Sequence, residues 1–140
     1  MNEKTKLATQ SPEKRPLRVA IVGGGKACKF FLEFIKNDPL YDLQIEPVAV
    51  CDIDPRAEGF LLAKEMGIYT TSDFEDILKI TDLDTVLELT GSREVLLELI
   101  RLRPKGLGVV EHNISRLLRG LFMKNQQLKS AETQVFLEKT

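Results

Sequence analysis

Histidine and cysteine are scarce in this chain: one histidine and two cysteines among 140 residues. Cys28 and Cys51 show no CxxC spacing, and His112 cannot complete a metal cluster with them, so the pattern argues against structural zinc. Charge of one sign is also lacking, because 20 basic and 21 acidic side chains leave a formal net charge of -1. Composition therefore supplies no attraction to nucleic acid or to an anionic membrane surface. No stretch approaches the roughly 20 apolar residues of a membrane span, and the opening MNEKTKLATQSPEKRP lacks the apolar core of a signal peptide. The expectation is a cytoplasmic protein without a nucleic-acid partner and without membrane insertion. Internal repeats and low-complexity tracts are absent too.

What is present is enough chain for one domain with a buried core. Residues 1 to 16 are polar and carry Pro12 and Pro16, which predicts a flexible arm. From Leu17 apolar runs alternate with helical patterns. LRVAIVG predicts a strand and KFFLEFIKNDP a helix with Phe30, Phe31, Phe34 and Ile35 on one face, stopped by Asp38 and Pro39. IEPVAVCD gives a second strand, and PRAEGFLLAKEMG a helix with proline in its first turn and Gly67 at its end. IYT follows as a short third strand. SDFEDILKI opens with Ser72 three residues before Glu75, the spacing of a capping box. TVLELTG, SREVLLELIRLRP and GLGVVEHN complete the series as strand, helix and strand.

Strands that are apolar throughout are covered on both faces, and alternating strands and helices imply a parallel sheet with right-handed crossovers. The predicted class is α/β, a doubly wound Rossmann-like sheet of order 3-2-1-4-5 over residues 17–113, followed by a C-terminal helix over 114–140. In that last segment Ile114, Leu121, Leu128 and Val135 recur every seven residues, with Leu117 and Ala131 at the companion position and Lys124 interrupting it. Its first two turns are expected to pack on the sheet. Beyond Lys124 the segment reads either as more of that helix or as the start of a coiled coil that makes a homodimer.

The chemistry gathers at the first turn, Gly23-Gly24-Gly25-Lys26-Ala27-Cys28. A helix N-terminus exposes unpaired N–H groups and about half a positive charge, so a glycine-rich turn feeding it is an anion site. Against G-x-G-x-x-G, Gly23 supplies the tight turn and Gly25 the close approach to a pyrophosphate, while Cys28 stands at the third position. A triphosphate loop would need glycine at Ala20 and a hydroxyl at Ala27, and has neither. Asp52, with Ile53 beside it, ends the second strand where a carboxylate meets an adenine-ribose 2′-OH, which favours NAD over NADP. The alternative is that Asp52 and Asp54 cap the helix at Pro55. Asp54 is the better cap, which leaves Asp52 free. Lys26 is either a phosphate contact or a solvated lysine. The same sheet edge gathers Thr90, Gly91 and Ser92 with Glu111, His112 and Asn113, where Ser92 is expected chiefly as a helix N-cap. The helix dipole at Cys28 lowers a thiol's pKa, and with Cys51 on the same edge a redox pair is conceivable; the alternative is that both are ordinary small buried residues.

At VAIVGGGKAC, AVCDIDP, the helix ending AKEMGI, TVLELTG and GVVEHN, the chain resembles the nucleotide-binding half of the glucose-fructose oxidoreductase and inositol dehydrogenase family. It is also similar to the corresponding half of dihydrodipicolinate reductases and homoserine dehydrogenases. The resemblance covers about residues 17–113 and implies an NAD(P) site on the glycine turn and Asp52. Enzymes of the first family carry E-K-P after the fifth strand, the lysine assisting proton transfer. Here Glu111 matches the glutamate, His112 stands at the lysine and Asn113 replaces proline. His112 is then either an acid–base group or a structural imidazole. After Asn113 the sequence reads as a helix rather than a substrate-binding half, and a Rossmann module with a departing helix resembles the amino-terminal regions of some bacterial sensor histidine kinases. The expected function is a module that binds NAD or a related adenine nucleotide and reports its occupancy. The alternatives are an oxidoreductase or its subunit, and a structural adaptor without ligand.

Overall fold

The computed structural model describes residues 15–38 and 44–139, those from 132 onward by backbone alone. Five strands, β1 (Leu17–Val22), β2 (Ile45–Cys51), β3 (Tyr69–Thr71), β4 (Thr85–Glu88) and β5 (Gly108–Val110), form one sheet. Every neighbouring pair is parallel, in the order β3-β2-β1-β4-β5. The helices are α1 (Lys26–Lys36), α2 (Glu58–Glu65), α3 (Phe74–Leu78), α4 (Arg93–Leu102) and α5 (His112–Lys139). The expected doubly wound α/β order is the order observed. The β1–β2 ladder slips between Val19 and Ala20, opposite Pro47 and Ala49. Proline has no N–H to donate, so the strand bulges there and Val48 goes unmatched.

Alternation along the strands divides the core between two faces. Ala20, Val22, Ala49, Cys51 and Val86 pack with Ile77 of α3 and Leu99 of α4, while Ile21 and Val50 pack with Cys28 and Leu32 of α1 and Phe60 and Ala63 of α2. β1 and β4, adjacent in the sheet but distant in sequence, carry the chain to opposite sides. Their carboxyl ends therefore part at the crevice where a ligand sits in such folds.

Several local expectations change. The arm at 1–16 lies outside the described residues except for Arg15 and Pro16, and Arg15 is held: its Nη2 lies 2.5 Å from Asp84 Oδ1, while Asp84 Oδ2 accepts the Arg18 N–H at 2.9 Å. The α1 helix ends at Lys36, with the Asn37 N–H bonding back to Glu33. Pro39, the expected stop, lies outside the described residues. The cap of α3 is Asp73, not Ser72: Asp73 Oδ1 accepts the Glu75 N–H at 2.9 Å. Thr71 fixes this register by donating its hydroxyl to Asp76 at 2.6 Å and accepting the Asp73 N–H at 3.1 Å.

The α5 helix packs on the domain through a different face from its heptad stripe. Ser115 is buried and Phe122 meets Phe34 edge-on at 4.0 Å and Phe30 at 5.7 Å. Ile114, Leu117, Leu121 and Leu128 remain 49–59% exposed, so the apolar stripe of the first two turns does not lie on the sheet as expected. Lys124 and Ala131 are exposed as well, and the Val135 side chain lies outside the described residues.

Candidate functional site

The glycine turn is shaped by close approaches at two of its three residues. Gly23 has φ 111°, and a Cβ there would stand 2.7 Å from the Thr90 nitrogen. Gly24 donates its N–H to Asp52 Oδ2 at 2.7 Å and accepts the Phe60 N–H at 2.9 Å, so a side chain would press on Phe60 and Asp52. Gly25 differs, because nothing lies within 4 Å of a Cβ built on it. It is the N-cap of α1, and that terminus has neither a side-chain cap nor an acidic residue in its first turn. Its N–H groups and partial positive charge are left for an anion. Lys26 is exposed at this end and Ala27 packs half-buried on the core.

Asp52 is not free, as a cap at Asp54 would have left it. Its Oδ2 holds Gly24 and its Oδ1 accepts the Asp54 N–H at 2.8 Å. Asp54 in turn takes the Arg56 N–H at 2.9 Å, forming a turn over residues 55–56 so that α2 begins only at Glu58, with Ala57 as its N-cap. Neither aspartate caps α2. An ionised carboxylate offers about four lone-pair sites, and Asp52 uses one on each oxygen for these bonds. The remainder face a cleft of about 550 Å³ lined by Gly23, Gly25, Asp52, Ile53, Thr90 and Ser92 among others. Ile53 is 88% exposed beside it.

Cys28 fits at the third motif position because room is made on the facing helix. A Cβ on Gly59 would lie 2.6 Å from Cys28 Cβ and 2.7 Å from its Sγ. Gly59 of α2 makes the room that a glycine at the third motif position of α1 would otherwise give. Burial and then the Asp52 charge push the Cys28 thiol up to about 12, against the lowering expected from the helix dipole. Burial, and then Asp52, Asp73 and Asp76, push Cys51 up to about 11. Both are free and buried, so the conceivable thiolate redox pair gives way to two inert core thiols.

At the other end of the cleft the polar groups converge on a residue that the sequence reading passed over. Glu88 is 1% exposed, and its Oε2 accepts the Thr90 hydroxyl at 2.6 Å and the Gly91 N–H at 2.9 Å. The signal was a charged residue inside an otherwise apolar strand, LEL. Ser92 caps α4, accepting the Val95 N–H at 3.3 Å, and also lines the cleft. Gly91 (φ 71°) lies against the His112 ring, whose buried Nδ1 has no partner. Glu111 Oε1 accepts the Ile114 N–H at 3.1 Å and so starts α5. An adjoining cleft of about 460 Å³ is walled by Glu88, Gly91, Glu111 and His112. Gly23, Gly25, Asp52, Ile53 and Thr90 thus line one cleft and Gly91, Glu111 and His112 the adjoining one, while Gly24, Lys26, Ala27 and Cys28 line neither. Among the described residues no group of three or more His, Cys, Asp or Glu is placed to hold a metal ion, and no helix is long and apolar enough to cross a membrane.

No family model matches the chain. It is 34% identical over 62 residues to acetaldehyde dehydrogenase 1 of Azoarcus sp. (strain BH72), a match covering 44% of this chain and 19% of that protein. Among solved structures it is similar to GenD2 from gentamicin A biosynthesis, determined in complex with NAD, at 25% identity and TM-score 0.53 over 71% of this chain. The myo-inositol 2-dehydrogenase of Lactobacillus plantarum superposes with TM-score 0.52 at 22% identity over 69% of the chain, a likeness of fold. This chain spans 28% of each of those two structures. The expected resemblance to inositol dehydrogenases is met in the architecture of the sheet, and the chain has a Rossmann-like fold.

Proposed function

We propose that this chain binds NAD in the cleft between Gly25 and Thr90 and passes its occupancy to α5. The observation that carries the reading is the pairing, in one cleft, of an uncapped helix terminus at an unobstructed Gly25 with the Asp52 carboxylate. The terminus suits a pyrophosphate, and the lone pairs of Asp52 suit a ribose diol. The aspartate charge repels a 2′-phosphate, which disfavours NADP. The exposed Ile53 offers an apolar face to the adenine. GenD2, which shares the fold, was determined with NAD.

The regulatory part of the reading rests on the junction at the rim. Only Glu111 separates β5 from α5, and His112, the first residue of α5, lies under Gly91. A ligand against Thr90 and Gly91 therefore bears on the root of a helix whose Ile114, Leu117, Leu121 and Leu128 present a heptad seam suited to a second copy. The shift it produces equals its difference in affinity between the helix states. Calorimetric titration with NAD(H), NADP(H) and adenine nucleotides tests this: NAD(H) should bind, more tightly than NADP(H), and Asp52→Ala should weaken it. Failure of every nucleotide to bind contradicts the proposal.

A second reading, an oxidoreductase or a subunit of one, is favoured by the unpartnered Nδ1 of His112 in a cleft shared with Glu88 and Glu111. Dehydrogenase turnover that His112→Ala abolishes supports this reading, and NAD binding without turnover on candidate substrates supports the first.

A further inference from the structure

On the opposite face of the sheet from α3 and α4, a cavity of about 310 Å³ lies between α1 and α5. Its floor is Val19, Ile21 and Leu87, and Phe30, Phe34 and Phe122 stand around it. It opens to solvent past Leu17 and Leu118, which are about half exposed. The volume falls at the lower end of the roughly 300–1,000 Å³ of small-molecule sites.

Two polar groups in the apolar wall are left without a partner, and both come from α5. Ser115 is 3% exposed, and its Oγ has no hydrogen-bond partner. A helical serine ordinarily bonds back to the carbonyl four residues earlier or reaches water, and this one does neither. Arg119, one turn further on, lines the same cavity and has no anionic partner among the described residues. Residues four apart lie on one helix face. Thr85, the remaining hydroxyl in the wall, is already satisfied by the Gly108 carbonyl at 3.2 Å.

We infer that this cavity binds a medium-chain monocarboxylate, its apolar tail among the phenylalanines and its carboxylate held by Ser115 Oγ and Arg119. An apolar enclosure with a single convergent donor pair selects an amphiphile with one anionic end, since a neutral hydrocarbon leaves Ser115 orphaned and a dianion has only one counter-charge. The site is independent of the nucleotide cleft and stands whether or not NAD binds.

Decanoate is the probe, titrated calorimetrically into the full chain below its micellar concentration, with decanol as the uncharged control. The expected result is saturable binding of one decanoate per chain and weaker binding of decanol. Arg119→Gln, at a partly exposed position, should weaken decanoate about tenfold and leave decanol unchanged. Ser115→Leu, which fills the cavity, should remove both. Absence of saturable decanoate binding, equal binding of decanol, or indifference to Arg119→Gln overturns the inference. Sedimentation on the same samples assigns the cavity to a second copy if decanoate fails to bind and Ser115→Leu breaks up a dimer.

Discussion

Gly59 and Cys28 form a complementary pair: the space that a glycine at position 28 would have left is provided from the facing helix. Gly59→Ala should therefore cost about 1–3 kcal/mol by overpacking. Chemical denaturation of Gly59→Ala, Cys28→Gly and the double variant measures this, and the double variant should recover part of the loss. The thiols give a second prediction at this scale. With Cys28 held up to about 12 and Cys51 up to about 11, neither should react with iodoacetamide at pH 8 until the protein unfolds. Above a free thiol's ordinary pKa of 9.0 the unfolded chain loses thiol protons that the folded chain keeps, so stability should fall as pH rises from 9 toward the folded values. Gly23, Gly25 and Asp52 were legible because a motif fixes their spacing. Glu88, Gly59 and the second role of Asp52 as a clamp on Gly24 depend on contacts between segments far apart in the chain, which no local pattern records.

Among the elements, helix caps show how one residue of register is decided. Ser72 and Asp73 both stand before α3, and the capping-box spacing selects Ser72. The Thr71–Asp76 hydrogen bond instead places Asp73 at the cap. Asp73→Ala should cost about 0.5–2 kcal/mol in thermal or denaturant unfolding, and Ser72→Ala only a few tenths. The cap expected at Asp54 fails for a related reason: Asp54 closes a turn, and α2 starts later without a side-chain cap. The apolar residues of α5 were read as a seam and as a packing face at once, and the structure separates the two. Phe122 and Ser115 face the domain, while Leu117 and Leu121 face outward. In the proposed homodimer, Leu121→Glu should then leave the fold intact and, in sedimentation equilibrium, convert the dimer to monomer.

For the whole molecule, the parallel sheet followed from the alternation of apolar runs and helices, because right-handed crossovers leave few arrangements of five parallel strands, and the dinucleotide turn after β1 selected the order observed. That order places the glycine turn, Asp52 and the Thr90 loop at one edge, and the root of α5 beside them. What alternation does not specify is how tightly a terminal helix closes on the sheet, and there the cavity under α5 appears. The central claim is that a dinucleotide rests on the turn at Gly25. Gly25→Asp isolates it, since φ is −84° and no atom lies within 4 Å of the added Cβ, so the new side chain meets no steric obstacle. Titration of NAD into wild type and Gly25→Asp, with thermal unfolding of both, should show an unchanged melting temperature in the apo proteins and affinity reduced at least about tenfold, 1.4 kcal/mol or more. Equal NAD affinity in the two proteins, or none in wild type, would contradict the account.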